Sequence, residues 1–394
     1  MVTTKAYAAF CAAREEARLL RRLADAMPLA GGRVERGGRV FVNFSGNDYL
    51  GLSRHPALIA KAADYAARFG TGATASRLVT GNLPVLGGIE ARLAAGKGKE
   101  AALILAAGYQ TNLTVLAALA DKAVLGRPVS ILADRLVHHS LLQGALLSGA
   151  RLMRFAHNDL GHLEMLLRRQ RAAGHALVIV SESVFGMDGD RADLVALGDL
   201  AARYEALLYI DEAHATGVFG KDGFGLAADC PDAADIAMGT FGKALGSFGS
   251  YIACSAALRD YLVQRCGGLI YSTALPPPVL GSIAAALELL PSLAAERAHV
   301  LALADTLRHG LGGQGWDCGA STTQIVPVIV GREEAVLKLA ATLETEGFLA
   351  AAIRPPTVPN GTARLRLSLS AAHARADIDR FVALMAGLAP DYRV

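Results

Sequence analysis

Short apolar runs alternate with amphipathic stretches through the middle of the chain, and this alternation constrains the fold most strongly. The stretches at 160–173 and 194–204 carry apolar residues at helical spacing. Alternating strands and helices are typical of a mostly parallel sheet whose two faces are covered by helices. We therefore predict an α/β fold. Its strands are predicted at 101–105, 129–133, 176–181, 207–210, 236–238 and 251–253.

The two ends of the chain predict further elements. Residues 1–30 have the pattern of an amphipathic helix, and a short strand is predicted at 40–44. After the prolines at 276–278 we predict a long helix at 280–312, a strand at 324–330, a helix at 333–346, a strand at 364–370 and a last helix. A chain of 394 residues exceeds one typical core. We therefore predict an N-terminal segment (1–50), a large domain (51–285) and a small C-terminal α/β domain (286–394).

Composition excludes several classes of protein. The formal net charge of +3 is too slight to favour nucleic acid as a partner. No run of about eighteen apolar residues predicts a membrane-spanning helix, and the N-terminus has no apolar signal core. The five cysteines form no CxxC pair, which argues against a zinc site or a disulfide framework. We expect a cytoplasmic protein that binds no metal.

An acid, a histidine and a lysine stand close together in the sequence and suggest a specific chemistry. Asp211 and His214 follow the apolar run 207–210, and Lys243 lies about thirty residues further on among glycines, alanine and serine. Asp211 alone is commonly a turn cap, and a lone lysine is commonly a surface charge. Pyridoxal phosphate, however, requires a lysine for its Schiff base, a carboxylate for its pyridine nitrogen and a hydroxyl such as that of Thr240 for its phosphate. We predict a pyridoxal phosphate enzyme.

Three further positions are weaker candidates. The turn containing Gly108 and Tyr109 follows a predicted strand and opens a helix, where backbone amides can bind a phosphate. His138 stands beyond the strand 129–133, and it either stacks on a cofactor ring or is structural. Arg354 precedes two prolines that favour an extended backbone, so its guanidinium either binds a substrate carboxylate or forms a surface ion pair.

The letters DEAH at 211–214 also match a helicase motif. A helicase needs a phosphate loop in which Gly-Lys is followed by Ser or Thr. None of the four Gly-Lys pairs has such a neighbour. We discard the helicase interpretation.

The chain resembles the α-oxoamine synthases, pyridoxal phosphate enzymes of fold type I, over residues 14–381. Seven motifs carry this resemblance, and the last of them is most typical of the branch that serves biotin synthesis. They are NFSGNDYLGL (43–52), ADRLVH (133–138), FAHND (155–159), MDGD (187–190), DEAHATG (211–217), TFGK (240–243) and IRPPTVP (353–359).

The resemblance implies a role for each cofactor-binding residue. Lys243 would form the Schiff base, Asp211 would face the pyridine nitrogen and His138 would stack on the ring. The other contacts would come from His214 at the phenolate oxygen and from Thr240, Gly108 and Tyr109 at the phosphate.

The resemblance also implies substrates and a partner. The enzyme would condense L-alanine with pimeloyl-CoA or pimeloyl-carrier protein and release carbon dioxide and the thiol. Arg354 would bind the amino-acid carboxylate and Arg21, or its neighbour Arg22, the acyl substrate. Asn47, Thr357 and Ser76 match other substrate positions. Such enzymes are homodimers, and the segments 70–77 and 271–273 would be contributed by the partner subunit.

Two residues depart from the family pattern. Gly186 stands where a serine near the cofactor oxygen is usual, and Leu86 where a histidine is frequent. Neither is a covalent participant, so we expect altered tuning and retained activity. Two other functions stay open at this point: a 2-amino-3-ketobutyrate CoA ligase using glycine and acetyl-CoA, and a catalytically silent pyridoxal phosphate protein with a regulatory role.

Overall fold

The computed structural model describes residues 4–16 and 19–392. Within this part of the chain the strands form three sheets. The strands are β1 Met27–Leu29, β2 Arg33–Arg36, β3 Arg39–Asn43, β4 Ala101–Leu105, β5 Val129–Asp134, β6 Arg151–Phe155, β7 Ala176–Glu182, β8 Leu207–Asp211, β9 Ile236–Thr240, β10 Ser250–Cys254, β11 Ile325–Gly331, β12 Phe348–Leu349, β13 Ala351–Ile353 and β14 Ala363–Ser368.

Helices connect and cover these strands. They are α1 Thr4–Glu16, α2 Pro56–Phe69, α3 Val85–Lys97, α4 Gly108–Leu119, α5 Lys122–Leu125, α6 His139–Leu147, α7 Leu160–Ala172, α8 Leu194–Tyr204, α9 Ala256–Arg265, α10 Gly267–Ile270, α11 Pro277–Leu289, α12 Ala294–Gly313, α13 Glu333–Thr345 and α14 Arg375–Tyr392. Short 3₁₀ turns lie at Leu52–Arg54, Lys221–Gly223, Leu226–Ala228 and Leu290–Ser292.

The central sheet has the strand order β4-β10-β9-β8-β7-β5-β6. The neighbours from β9 to β6 pair in parallel, whereas β10 is antiparallel to both β9 and β4. Strands β4, β5, β7, β8, β9 and β10 are buried along their whole length apart from Leu207, as expected when helices cover both faces. The prediction of a mostly parallel sheet is confirmed.

Two small sheets complete the fold. Strands β1, β2 and β3 pair in sequence, and β12 from the C-terminal part joins them in parallel beside β3. Strands β11, β14 and β13 form the third sheet. The N-terminal strands therefore share a sheet with the C-terminal part of the chain. The boundaries proposed at residues 50 and 285 stay predictions.

Two predicted helices were wrong in their extent. The stretch 280–312 is two helices, α11 and α12, because Pro291 lies in the 3₁₀ turn between them and has no N–H to continue the first helix. The stretch predicted as a helix at 1–30 contains α1, an irregular segment and β1, and its residues 1–3 and 17–18 lie outside the described residues.

Among the described residues no single helix has the length and hydropathy to cross a membrane. Residues 277–292 and 294–313 meet that criterion only as a pair bent by 79°.

Candidate active site

Lys243 lies in the loop between β9 and β10, half-buried, at the carboxyl edge of the central sheet. Its Nζ donates a hydrogen bond to His214 Nε2 at 2.7 Å. Burial lowers the pKa of Lys243 to about 8, against the opposing charges of Asp211 and Glu182. A substantial fraction of the amine is therefore neutral near physiological pH, as a nucleophile or base requires.

His214 is fixed at both ring nitrogens. Nδ1 lies 2.7 Å from the hydroxyl of Tyr49, which donates its own proton to Asn47 Oδ1 at 3.1 Å. Burial lowers the pKa of His214 well below its ordinary value, and the charges of Lys243 and Arg366 lower it further. A neutral ring with Nδ1–H donating to Tyr49 leaves Nε2 to accept from Lys243.

Asp211 ends β8, and only 4% of its surface is exposed. Its Oδ2 accepts from Asn112 Nδ2 at 2.7 Å and its Oδ1 from the backbone N–H of Ala213 at 2.8 Å. Tyr209 in turn donates to Asn112 Oδ1 at 2.7 Å, which fixes the orientation of the amide. The carboxylate is therefore held by donors in a buried position, where it can stabilise a positive charge on a bound group.

His138 caps the start of α6. Its Nδ1 accepts from the backbone N–H of Ser140 at 3.3 Å and lies 2.7 Å from the Ser140 hydroxyl. Tyr109 meets the ring edge-to-face, with centroids 6.4 Å apart. Burial lowers the pKa of His138, and the positive charge of Lys243 acts in the same direction. The ring is thus oriented by the helix start and favours its neutral form.

Gly108 and Thr240 form one side of an anion cradle. Gly108 is the first residue of α4, whose N-terminal amides have no acceptor within the helix. A Cβ at Gly108 would lie 3.2 Å from Met238 Cε and 4.0 Å from Thr240 Oγ1, so the backbone closely approaches the threonine. Thr240 Oγ1 accepts from the N–H of Gly242 at 3.1 Å and donates to the carbonyl of Gly249 at 2.9 Å.

Arg366 is a site residue that the sequence analysis did not find. Its side chain is nearly buried on β14, and its guanidinium donates to Asn47 Oδ1 at 3.1 Å and to the Tyr49 hydroxyl at 3.3 Å. It also donates to the carbonyl of Gly186 and to Ser368 Oγ. Asn47 and Arg366 thereby join the group around His214.

The other four predicted substrate residues lie in three further segments of the chain. Ser76 pairs with Thr273 in an isolated bridge, which brings together the two segments assigned by resemblance to the partner subunit. Arg354 is half-buried and Thr357 exposed, in a turn closed by the Thr357 N–H on the Arg354 carbonyl at 3.0 Å. Arg21 is exposed in the irregular segment before β1. Their roles stay predictions.

The two departures from the family pattern have different surroundings. Leu86 lies on α3 and is buried in the hydrophobic core. It packs there against apolar neighbours, in place of the histidine that is frequent in the family pattern. Gly186 faces the site: a Cβ built on it would lie 2.4 Å from His214 Nε2. The imidazole therefore occupies the space that a side chain at position 186 would need.

The residues fit pyridoxal phosphate by chemistry and by space. A buried carboxylate, a lysine with lowered pKa and an anion cradle at a helix start meet at one edge of the sheet. Gly108 has no side chain to fill the space beside Thr240 Oγ1. No other cofactor class is suggested by this combination of groups.

The class of protein follows from comparison with known families. Residues 39–384 match the model of the family aminotransferase class I and II. The chain belongs to this family.

Relatives within the family are more specific. The chain is 54% identical to a Gluconacetobacter diazotrophicus protein named 8-amino-7-oxononanoate synthase, over 92% of this chain and 91% of that protein. It is 46% identical to the protein of the same name from Anaeromyxobacter dehalogenans, over 95% and 92% of the two chains. The predicted resemblance to the α-oxoamine synthases is confirmed.

A solved structure supports the fold. The serine palmitoyltransferase of Sphingomonas wittichii matches with a TM-score of 0.91 and 27% identity over 99% of both chains. The predicted fold type I architecture is confirmed.

Proposed function

We propose that this chain is a pyridoxal phosphate-dependent 8-amino-7-oxononanoate synthase. It condenses L-alanine with a pimeloyl thioester, pimeloyl-CoA or pimeloyl-carrier protein, and releases carbon dioxide and the free thiol. The product enters biotin synthesis, and we propose the cytoplasm as the compartment. The observation that carries the proposal is the identity of about half of all residues to synthases of this name over nearly the whole chain, joined to the complete Lys243, Asp211 and His214 set.

Pyridoxal phosphate, when bound, supplies an electron sink for the carbanion that L-alanine must form. The protein supplies the rest of the chemistry. Lys243 Nζ would hold the group and would act as the base that moves the α-proton, because its lowered pKa leaves part of the amine neutral. Asp211 stabilises the positive charge that keeps the sink effective. His138 would cover the ring, and Thr240 with the amides of Gly108 and Tyr109 would bind the phosphate.

Arg366 is our preferred ligand for the amino-acid carboxylate. Its guanidinium is fixed by Asn47 and Tyr49, and Tyr49 contacts the same His214 that contacts Lys243. A fixed, nearly buried guanidinium binds a carboxylate with little loss of conformational entropy. Arg354, which the sequence predicted for this role, stays a second candidate.

We also propose a homodimer with its sites at the interface. The helix α1 buries no residue within its own chain, which suits an arm that packs on a partner. Arg21 follows that helix, and it would contribute to binding of the acyl substrate. The bridged segments around Ser76 and Thr273 would belong to the neighbouring site.

The function is tested by thiol release from four substrate pairs, L-alanine or glycine with pimeloyl-CoA or acetyl-CoA. We expect L-alanine with pimeloyl-CoA to give the highest kcat/KM, and borohydride reduction of the cofactor-loaded protein to label Lys243. Faster turnover of glycine with acetyl-CoA would instead assign a 2-amino-3-ketobutyrate CoA ligase. Cofactor binding without any turnover would assign the silent regulatory protein.

The same assay separates the two arginines. Arg366→Lys is expected to raise the KM for L-alanine about tenfold or more, because the bidentate geometry is lost. Arg354→Lys is the matched control, and its KM for L-alanine should stay close to that of the wild type. The reverse ranking of the two KM values would assign binding of the L-alanine carboxylate to Arg354.

A further inference from the structure

A second carboxylic acid stands beside Asp211. Glu182 ends β7, and Asp211 ends the adjacent parallel strand β8, with the two residues in register. Residues paired in this way project to the same face of a sheet. Both are buried, Glu182 with 4% of its surface exposed. Neither the motifs nor the proposed reaction uses Glu182.

Glu182 is hydrogen-bonded to His138, the residue that would cover the cofactor ring. Its Oε1 accepts the backbone N–H of His138, the residue that caps α6. The backbone N–H of Gly186 also forms a hydrogen bond with the Glu182 carboxyl group. Glu182 therefore connects the end of β7 with the start of α6 and with the loop that follows β7.

Two buried carboxyl groups side by side do not both carry a negative charge at neutral pH without strong compensation. Asp211 has a side-chain donor and a backbone donor on its two oxygens. The charged groups that act on Glu182 are Asp211 and Lys243. His138, His214 and Arg366 act in turn on Lys243 or on one another. Burial and Asp211 raise the pKa of Glu182 to about 8, against the lowering effect of Lys243. The proton of the pair is therefore held by Glu182, and the side-chain donor Asn112 favours the carboxylate form of its neighbour Asp211.

We propose that Glu182 is a positioning residue that works as a neutral carboxylic acid. It fixes the backbone of His138, and it leaves Asp211 as the single negative charge next to the bound cofactor. An ionised Glu182 would compete with Asp211 for the positive charge and would hold Lys243 protonated. The inference rests on the proposed function only for the identity of the bound group, and its first two tests need no cofactor.

The first test is the stability of the cofactor-free protein against pH. An acid whose pKa is raised in the folded protein contributes stability that is complete below its unfolded pKa of 4.5. This contribution is lost as pH rises through its folded pKa of about 8. Glu182→Gln keeps the acceptor for His138 and cannot ionise. Its Tm relative to the wild type should therefore rise between pH 5 and pH 8.5. An equal difference at both values would overturn the proposal.

A second test uses the unaltered protein, so that a failure of the variant to fold leaves the question decidable. Infrared spectra of protein labelled with ¹³C at glutamate carboxyls report the C=O stretch of a neutral acid. We expect one such band at pH 6.5 that disappears above pH 9. Its absence at pH 6.5 would mean that Glu182 is ionised and would overturn the proposal.

The third test uses the loaded enzyme. Glu182→Gln should keep kcat/KM at pH 7 within about threefold of the wild type, whereas Glu182→Ala should lose about tenfold or more because the His138 N–H is left without its acceptor. The pH titration of cofactor absorbance should lose a step near pH 8 in Glu182→Gln. A large loss in Glu182→Gln with an unchanged titration would show that the ionised form is required. A wrong reaction assignment would change only the substrate ranking and leave the first two tests intact.

Discussion

The space next to His214 decides what residue 186 can be. The ring is held by Tyr49 at Nδ1 and by Lys243 at Nε2, so it cannot move without breaking one of these contacts. Gly186 has an ordinary backbone conformation, and any cost of a side chain there is therefore a contact cost with the imidazole. Glycine at this position is thus matched to the observed orientation of His214.

Gly186→Ala is expected to displace the His214 ring, because the new Cβ would lie 2.4 Å from Nε2. Loss of the hydrogen bond to Lys243 should lower kcat/KM about tenfold and shift the pH dependence of cofactor absorbance. Gly88→Ala on α3 is the matched control, since nothing lies within 4 Å of its Cβ position. A Gly186→Ala enzyme with wild-type kinetics and spectrum would contradict the orientation described for the ring.

Some of the site residues could be predicted from the sequence, and others could not. Asp211, His214 and Lys243 could be predicted because each follows a recognisable strand or lies in a glycine-rich loop. Arg366 could not, because arginine within a short strand is expected to face water, yet all six residues of β14 are buried. Glu182 directly follows the predicted strand 176–181, but only the register of β7 against β8 brings it beside Asp211.

At the scale of elements, buried strands were easier to predict than edge strands. Strand β6 was missed because its sequence, RLMRF, carries arginines, and as an edge strand it exposes part of its length. The break between α11 and α12 was missed although Pro291 signals it. Strand β12, with two residues, exists only through its pairing with β3, which no local pattern encodes.

A histidine connects strand β5 with the loop that follows β7. His157 lies between Asp134, which ends β5, and Asp190 in the loop after β7, with Nδ1 3.0 Å and Nε2 2.8 Å from the carboxylates. Its ring also meets Phe185 edge-to-face. Hydrogen bonds to both acids raise the pKa of His157 to about 10, against the cost of burial. The protonated ring therefore holds the loop that contains Gly186 to the sheet.

His157→Gln should destabilise the protein in a pH-dependent way. A histidine with raised pKa contributes stability that is complete below its unfolded pKa of 6.5 and is lost as pH rises through about 10. The deficit in Tm of the variant should therefore be largest near pH 6 and shrink toward pH 10. His309→Gln, on the surface of α12, is the control and should show no such trend. A deficit that is constant with pH would mean that His157 is neutral in the folded protein.

At the scale of the whole molecule, several exposed apolar side chains lie on segments that contact one another. The segments around Ser76 and Thr273 are bridged, Ala274 N–H donates to the Ala75 carbonyl at 3.0 Å, and Gln110 of α4 donates to Ser272 Oγ at 2.5 Å. Large apolar side chains are exposed on these segments and on the loop after Lys243. We call this set the apolar rim: Leu78, Val79, Tyr109, Phe248 and Tyr271, which are between 49% and 86% exposed. Exposed apolar groups of this kind mark interaction surfaces.

The apolar rim is expected to be the dimer interface, because three of its residues lie in or beside the segments that would belong to the neighbouring site, namely Leu78, Val79 and Tyr271. Val79→Glu and Tyr271→Glu should shift sedimentation at micromolar concentration from dimer to monomer, and activity should fall in parallel because each site would lose the partner's residues. Met165→Glu on α7 and Val195→Glu on α8 are matched controls, since both side chains are 58% exposed on other helices. Rim variants that remain dimeric would place the interface elsewhere. A fully active wild-type monomer would show that the active site needs no partner subunit.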